Sequence, residues 1–237
     1  MNTIIITGAA SGIGFELANQ LNKKYKIIII DKKKPEKKVE NSIYIKFDFN
    51  KIILIPKLIK KIIPNIKNNL ILINNVAYRN KKNKDTLDHW IKSINVNLIS
   101  TFFLTEKIIK KYSKKITVIN INSVLSSKIN IKESCAYHCT KASLKKLSDY
   151  LSVKYTNSKV NIFSISLGLF KKNQNKKILT ITKKVKKYYP NKRIADSSNL
   201  ADLINYLSSN NNNFLNGLDF SADGGYLKND PVSVSLM

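Results

Sequence analysis

The placement of glycine constrains the fold of this chain more than any other feature of its sequence. Only seven of the 237 residues are glycine, and three of these fall within eight residues, in the stretch Thr7-Gly8-Ala9-Ala10-Ser11-Gly12-Ile13-Gly14. An apolar run precedes this stretch, and apolar residues at helical spacing follow it. Glycine tolerates positive φ angles and lets a ligand approach the backbone closely. The pattern therefore predicts a tight turn from a strand into a helix, with a pyrophosphate bound at the helix N-terminus.

Short apolar runs alternate with helical patterns along the rest of the chain. Strands are predicted at 4–7, 26–30, 43–47, 70–73, 116–121, 160–166 and 218–222. Helices are predicted at 12–24, 51–64, 86–111, 137–155 and 199–208, with a break near residue 97 in the third. Apolar strands that alternate with helices are typical of a parallel sheet covered on both faces. We therefore expect one doubly wound α/β domain over residues 1–237, with a basic substrate lid at about 170–195.

The net charge of +27 raises the question of a nucleic-acid partner. Of the 42 basic residues, however, only Arg79 and Arg193 are arginine. Proteins that bind phosphates favour arginine, because its planar guanidinium makes bidentate contacts. The lysines accompany heavy use of Ile and Asn, a composition typical of AT-rich genomes. We expect solvated surface charge and no specific nucleic-acid partner; the alternative, a nucleic-acid binder, depends on charge alone.

Nothing in the sequence predicts export or membrane insertion. The N-terminus lacks the basic segment and the cleavage site of a signal peptide. No apolar run approaches the ~20 residues of a membrane span. The two cysteines, Cys135 and Cys139, do not form a Cys-x-x-Cys pair, which favours a reduced compartment. No cluster of His, Cys, Asp or Glu has metal-binding spacing. We expect a cytoplasmic protein with no membrane partner and no metal site.

Polar residues and glycines follow the predicted strands, at the edge where a doubly wound sheet binds ligands. They are Gly8, Asp31, Asp48, Asn75, Ser123 and Gly168. Asp31 lies seventeen residues after Gly14, and its carboxylate can accept hydrogen bonds from an adenosine ribose while it repels a 2′-phosphate. If Asp31 is more than a turn residue, it favours NAD(H) over NADP(H). The alternative is that the lysines at 32–34 reach a 2′-phosphate.

Tyr137 and Lys141 are four residues apart on a predicted helix and therefore share a face. A phenol has an unperturbed pKa near 10. A neighbouring ammonium, together with an oxidised nicotinamide, would lower the pKa of Tyr137 and make it usable for proton transfer near neutral pH. Ser123, at the end of the fifth strand, can donate a hydrogen bond to a substrate carbonyl oxygen.

Together these stretches resemble the classical short-chain dehydrogenase/reductase family. The matching residues are Thr7 to Gly14, Asp48, Asn74-Asn75-Val76-Ala77, Asn95-Val96-Asn97, Ile121-Asn122-Ser123-Val124, Tyr137-His138-Cys139-Thr140-Lys141, Leu167-Gly168 and Asp223-Gly224-Gly225. They occur in the order of the family and cover nearly the whole chain. The resemblance implies a Rossmann-type, doubly wound sheet of about seven parallel strands with helices on both faces, which binds NAD(H) or NADP(H).

The resemblance also implies roles for individual residues. Tyr137 would be the general acid/base, and Lys141 would bind the nicotinamide ribose and lower the tyrosine pKa. Ser123 would orient the substrate oxygen, and Asn97 would hold the water of a proton relay. The cofactor would be bound by Gly8, Ser11, Gly12, Ile13, Gly14, Asp31, Asp48, Phe49, Asn75, Tyr137, Lys141 and Gly168. In one departure from the family, Ala77 stands where a glycine is usual.

The implied activity is the NAD(P)(H)-dependent interconversion of a small carbonyl compound and a secondary alcohol. One alternative is a 3-oxoacyl-[acyl-carrier-protein] reductase, in which the basic stretch 171–193 docks an acidic carrier or an anionic sugar precursor. From a different class, a non-catalytic dinucleotide-binding sensor or scaffold is the other alternative, and the intact catalytic set argues against it. Relatives often pair the two long helices, here 86–111 and 137–155, so we expect a homodimer or homotetramer.

Overall fold

A computed structural model describes residues 1–80, 85–156, 159–170, 189–190, 193–209 and 213–228. The strands in these ranges are β1 Thr3–Thr7, β2 Lys26–Asp31, β3 Ser42–Lys46, β4 Leu70–Asn74, β5 Ile116–Ser123, β6 Val160–Leu167 and β7 Asp219–Ala222. The α-helices are α1 Gly12–Leu21, α2 Ile55–Ile62, α3 Leu87–Ile94, α4 Ser100–Lys111, α5 Cys135–Lys154 and α6 Ser197–Leu207. Most of the predicted lid at 170–195 lies outside the described residues.

The strands of the described ranges form one parallel sheet in the order β3-β2-β1-β4-β5-β6-β7. This order confirms the predicted doubly wound fold with about seven strands. The chain leaves β1 toward one edge of the sheet and returns to the other side of β1 at β4. Ligands bind beyond the carboxyl ends of the strands at such a reversal point. The predicted site residues therefore lie at the edge of the sheet that can receive a cofactor.

Apolar side chains cover both faces of the sheet. On one face, isoleucines of β1 and β2 pack against α1 and α6. On the other face, the alternate residues of the same strands pack against α2, α4 and α5. Because successive side chains of a strand point to opposite faces, strands covered on both sides need to be apolar at every position. This explains the uninterrupted isoleucine runs of the sequence.

The helical stretch from α3 to α4 continues through a π-helical turn at Asn95–Ile99. The sequence prediction placed a break in this stretch near Asn97, and the irregularity lies there, although the helix does not end. The hydroxyl of Ser100 donates to the carbonyl of Val96 at 2.9 Å within this turn. Single π turns inside α-helices are frequent at functional sites. Here the turn carries Asn97 on the side that faces α5.

A buried chain of polar side chains connects the sheet to α4 and α5. The amide of Asn74 donates to Thr105 at 3.0 Å and to the amide oxygen of Asn120 at 2.8 Å. Asn120 in turn donates to the hydroxyl of Ser148 at 2.8 Å. All four residues are buried. An unpaired polar group in the interior is costly, and here each side chain has a partner. Because losing one of these bonds would leave such a group unpaired, the network fixes α4 and α5 against the sheet.

Replacing Asn120 with Ala removes the centre of this network and leaves polar groups of Asn74 and Ser148 without that partner. We expect the free energy of unfolding to fall by about 2–3 kcal/mol, which urea denaturation would measure. Asn68→Ala is the matched control, because the exposed amide of Asn68 donates to the carbonyl of Met1. Its effect should stay within about 0.5 kcal/mol. Equal effects for the two variants would show that the buried network adds no stability.

Glu106 joins α4 to α5 at the surface. Its carboxylate accepts from Lys154 at 3.1 Å and from the hydroxyl of Tyr155 at 2.9 Å, and it pairs with Lys110 at 3.1 Å. These donors, led by Lys154, lower the pKa of Glu106 to about 2. The pKa of Glu106 is lower in the folded protein than in the unfolded chain. The carboxylate therefore stabilises the fold at pH values above its pKa in the unfolded chain. That contribution is lost as the pH falls from about 4.5 towards 2.

The variant Glu106→Gln should therefore lower the free energy of unfolding by about 1 kcal/mol at pH 7, a small value because the lysine partners are largely solvated. The difference from the natural protein should shrink as the pH approaches 3. Chemical denaturation at several pH values measures this trend. Glu16→Gln, on α1, is the control and should show no such convergence. A difference that stays constant down to pH 3 would contradict the assigned role.

Candidate active site

The glycine turn between β1 and α1 has two tightly packed positions and one open position. A Cβ at Gly8 would lie 2.6 Å from the Cα of Val76, and one at Gly14 would lie 2.5 Å from the side-chain nitrogen of Asn75. Gly12 has a φ of +61°, and a Cβ there would meet nothing within 4 Å. Gly8 and Gly14 are thus required by packing inside the protein, whereas Gly12 borders the open side of the turn.

Asn75 and Thr7 hold this turn against β4. The backbone N–H groups of Asn75 and Val76 both donate to the hydroxyl oxygen of Thr7 at 3.0 Å. The side-chain nitrogen of Asn75 donates to the carbonyls of Thr7 and Gly8, again at 3.0 Å. The amide of Asn75 therefore braces the glycine turn. Its expected contact with the adenosine side of a cofactor stays a prediction.

The start of α1 is free to receive an anion. Ser11 is its N-cap residue and is exposed, and its side chain makes no capping hydrogen bond. The first turn of the helix contains no acidic residue. The N–H groups and the positive end of the helix dipole favour a negative charge at such a terminus. Ile13 of this turn packs partly against the core, so its side chain supports the helix.

Asp31 connects the end of β2 to the glycine turn. Its carboxylate accepts from the N–H of Ala10 at 3.0 Å and from the N–H of Lys33 at 3.1 Å. The carboxylate therefore has a fixed position next to the turn. Asp48 is exposed, whereas the side chain of Phe49 is buried against Phe47 with ring centroids 5.1 Å apart. Phe49 can thus offer a cofactor only its backbone.

Gly168 lies where the chain leaves β6 and passes close to the last glycine pair. A Cβ at Gly168 would lie 2.9 Å from the Cα of Asp223, and its N–H donates to the carbonyl of Ala222 at 3.1 Å. The carboxylate of Asp223 accepts from the N–H groups of Gly225 at 2.9 Å and Leu227 at 2.8 Å. The residue at 168 must therefore be small, because the two loops touch.

The structure brings Ser123, Tyr137 and Lys141 together beyond the end of β5. The ammonium of Lys141 lies 5.8 Å from the centre of the Tyr137 ring and is buried. It donates to the carbonyl of Ile121 at 2.7 Å. Burial lowers the pKa of Lys141 to about 8. The ammonium is therefore partly deprotonated in mildly alkaline solution.

The surroundings of Tyr137 act on its pKa in opposite directions. Burial raises the pKa above the usual value, whereas the charge of Arg79 and the hydroxyl of Ser123 lower it. Burial is the largest of these effects, so desolvation outweighs the nearby charge. The expected lowering of this pKa by Lys141 together with an oxidised nicotinamide stays a prediction.

Asn97 connects the segment after β4 to α5. Its side-chain oxygen accepts from the N–H of Tyr78 at 2.6 Å, and its nitrogen donates to the Tyr78 carbonyl and to the hydroxyl of Thr140, both at 3.0 Å. The side chain is buried and its amide groups are occupied. A relay water would therefore have to contact the backbone carbonyl of Asn97, and this role stays a prediction.

Three residues that the sequence did not single out for the site lie beside the tyrosine or near the start of α5. The guanidinium of Arg79 lies 5.9 Å from the centre of the Tyr137 ring and is paired with the carboxylate of Glu133. The carboxylate of Asp85 accepts from the first N–H groups of α5, at 2.8 Å and 3.2 Å. Arg79 is one of only two arginines in the sequence, and this rarity could have marked it as a candidate site residue. No local pattern marks Glu133 or Asp85, because their partners are about fifty residues away.

These features fit a nicotinamide dinucleotide. The open position at Gly12 and the uncapped start of α1 suit a pyrophosphate, the carboxylate of Asp31 suits a ribose diol, and the phenol of Tyr137 can exchange a proton.

No helix within the described ranges combines the length and the hydropathy that a membrane crossing requires.

Comparison with known proteins agrees with this geometry. A family model described as enoyl-(acyl carrier protein) reductase matches residues 8–227. The 3-oxoacyl-[acyl-carrier-protein] reductase of Buchnera aphidicola subsp. Baizongia pistaciae is 27% identical over 93% of this chain and 95% of its own.

Two solved structures share the fold. A 4-hydroxyisoleucine dehydrogenase complexed with NADH has a TM-score of 0.84 at 22% identity, over 97% of this chain and 100% of its own. A putative 2-deoxy-D-gluconate 3-dehydrogenase from Agrobacterium tumefaciens with bound NADP has a TM-score of 0.80 at 21% identity, over 96% and 97%. The fold, the match along most of the chain and these relatives agree, and the chain belongs to the short-chain dehydrogenase/reductase family of nicotinamide-dinucleotide-dependent oxidoreductases.

Proposed function

We propose that this oxidoreductase interconverts a carbonyl and a secondary alcohol, with Tyr137 as the proton donor and acceptor. The position of the Tyr137 phenol carries this proposal. The phenol lies beside the hydroxyl of Ser123 and the ammonium of Lys141, at the edge of the sheet where the dinucleotide-binding turn also lies. A substrate oxygen placed there meets a hydrogen-bond donor and a proton source at once.

Each residue has a separate part in the proton transfer. Ser123 orients the substrate oxygen, and Tyr137 gives it a proton during reduction or removes one during oxidation. Lys141 supplies positive charge near the phenol and a hydrogen bond to a ribose hydroxyl. Asn97 fixes α5 against the segment after β4, through Thr140 and Tyr78, so that the phenol keeps its position.

The dinucleotide would be held by the glycine turn, Asp31, Asn75 and the loop at Gly168. Its nicotinamide ring would supply or accept the hydride. The residues of the chain supply binding, orientation and the proton. The start of α1 binds the pyrophosphate through backbone N–H groups, which explains why the open position is glycine.

Tyr137→Phe removes the phenol but keeps the ring. We expect turnover to fall by about 10²–10⁴-fold, while the dissociation constant of the cofactor stays within about twofold. Turnover is measured with carrier-linked acyl, sugar and small ketone substrates, and cofactor binding by fluorescence titration. Tyr150→Phe, on the same helix but exposed, is the control and should keep full activity. Substantial residual turnover in Tyr137→Phe would count against the mechanism.

We further propose that NAD(H) is preferred to NADP(H). The carboxylate of Asp31 is held next to the glycine turn by the N–H of Ala10 and is placed to bind a ribose diol. At that position its negative charge repels a 2′-phosphate. Structures of this fold have been solved with either cofactor, so the fold alone does not set the preference, and the proposal depends on the side chain at 31.

Asp31→Ser should raise the ratio of NADPH to NADH affinity by about tenfold or more, because it removes the negative charge that faces the 2′-phosphate. Fluorescence titration with each reduced cofactor measures the ratio. Asp149→Ser, on the exposed side of α5, controls for the change in net charge. Tenfold tighter binding of NADPH than of NADH by the natural protein would refute the proposed preference.

A second candidate activity is the reduction of 3-oxoacyl groups on an acyl carrier protein. The Buchnera relative favours it, because that protein has this activity in its name and is similar to this chain over nearly its full length. The basic stretch 171–193, which would dock an acidic carrier, lies almost wholly outside the described residues. Much faster turnover of a carrier-linked substrate than of the small ketones in the panel above would establish this candidate.

We also propose that the protein is a cytoplasmic homodimer or homotetramer. Pairing through the helices at 86–111 and 137–155 suits an enzyme of this family. A non-catalytic dinucleotide sensor or scaffold would need no proton donor, and the juxtaposed Ser123, Tyr137 and Lys141 disfavour it.

A further inference from the structure

Two cations flank the ring of Tyr137 at almost equal distances. The ammonium of Lys141, on α5, lies 5.8 Å from the ring centre, and the guanidinium of Arg79, after β4, lies 5.9 Å from it. A positive charge over an aromatic ring is attracted to its face and stabilises negative charge that develops on the ring oxygen. The proposed mechanism accounts for Lys141 but gives Arg79 no part.

Arg79 is held in place by Glu133. Its Nε and Nη2 groups donate to the two oxygens of the Glu133 carboxylate, which is a side-on, bidentate pair. The side chain of Glu133 is only 12% exposed, whereas that of Arg79 is 51% exposed. Because the less exposed partner anchors the more exposed one, the guanidinium has a defined position beside Tyr137.

The two cations differ in how they respond to pH. Burial lowers the pKa of Lys141 to about 8, so the protonated fraction of Lys141 decreases in mildly alkaline solution. A guanidinium remains protonated at every pH at which proteins stay folded. Arg79 also lowers the pKa of Tyr137, against the opposing effect of burial. Above pH 8, Arg79 therefore keeps its positive charge beside Tyr137 while Lys141 loses its own.

Other polar and titratable groups lie on α5 and on the segments next to it. Those on the packed elements are Asp85 after β4, Ser123 on β5, Glu133 before α5, and Cys135, His138, Cys139 and Lys141 on α5. Asp85 is engaged by the first N–H groups of α5. The ring nitrogens of His138 contact the Ser134 carbonyl and the Asn130 N–H, at 2.9 Å and 3.0 Å. Among the residues that the structure describes, Arg79 and Lys141 are the cations that lie over the ring.

We propose that Arg79, fixed by Glu133, is a positioning residue that stabilises the phenolate of Tyr137 during proton transfer, as a second cation beside Lys141. This inference rests on the proposed role of Tyr137 in proton transfer. It assigns a task to a side chain that otherwise joins two surface segments.

The direct test follows the ionisation of Tyr137 without any substrate. Tyrosine labelled with ¹³C at Cζ is titrated by NMR in the NAD⁺ complex, and the signal that disappears in Tyr137→Phe identifies the residue. In Arg79→Gln the midpoint should rise by about half a pH unit or more, and Arg79→Lys should restore part of the shift. Lys146→Gln, which removes an exposed charge from α5, is the control and should leave the midpoint unchanged.

A midpoint for Tyr137 in Arg79→Gln that matches the natural protein within about 0.2 pH units would overturn the inference. Circular dichroism and cofactor affinity of the same variant establish that it is folded. Should Arg79→Gln fail to fold, Arg79→Lys replaces it, and its midpoint should lie above that of the natural protein.

Activity provides a second readout. For alcohol oxidation, which needs the phenolate, the limb on which the rate rises with pH should move to higher pH in Arg79→Gln. The loss at pH 7 should appear in kcat, with KM nearly constant. A raised KM for anionic substrates with an unchanged pH profile would instead make Arg79 a substrate-binding residue and overturn the inference. Absence of turnover in the natural protein, with a shifted NMR midpoint, would refute only the proposed function.

Discussion

The site depends first on the close contact between the glycine turn and the end of β4. Gly8 and Gly14 lack side chains because Val76 and the Asn75 amide fill the space where a Cβ would lie. Asn75 in turn donates to the carbonyls of Thr7 and Gly8, so the first and fourth strands end at one fixed place. Ligands of a doubly wound sheet bind at this reversal of strand order, so the contact fixes the backbone that borders the binding crevice.

Helix α5, which carries Tyr137, is attached to that frame at three points along its length. Asp85 accepts from its first N–H groups, Thr140 is bonded to Asn97, and Ser148 is bonded to Asn120. Each attachment is polar and directional, and each comes from a different element. Apolar packing alone would permit α5 to slide by small amounts, whereas these bonds fix the height of Tyr137 above the sheet.

The sequence predicts the features that depend on local pattern. Isoleucine runs locate the buried strands, and glycine spacing locates the turn, because both requirements act on neighbouring residues. The pairing of Arg79 with Glu133 and the capping of α5 by Asp85 link residues about fifty positions apart, and no periodicity reports them. Local pattern does not report the pKa of Tyr137 either. It depends on the balance between burial and charge, which only the packed surroundings determine.

That balance has a consequence for how the site is used. Burial disfavours the charged forms of both Tyr137 and Lys141. Tyr137 would gain acidity if further positive charge entered the site, and an oxidised nicotinamide carries such a charge. By linkage, a group that makes the phenol more acidic binds more tightly as the phenol ionises. If the cofactor binds as proposed, proton release from Tyr137 and binding of the oxidised cofactor would therefore be coupled.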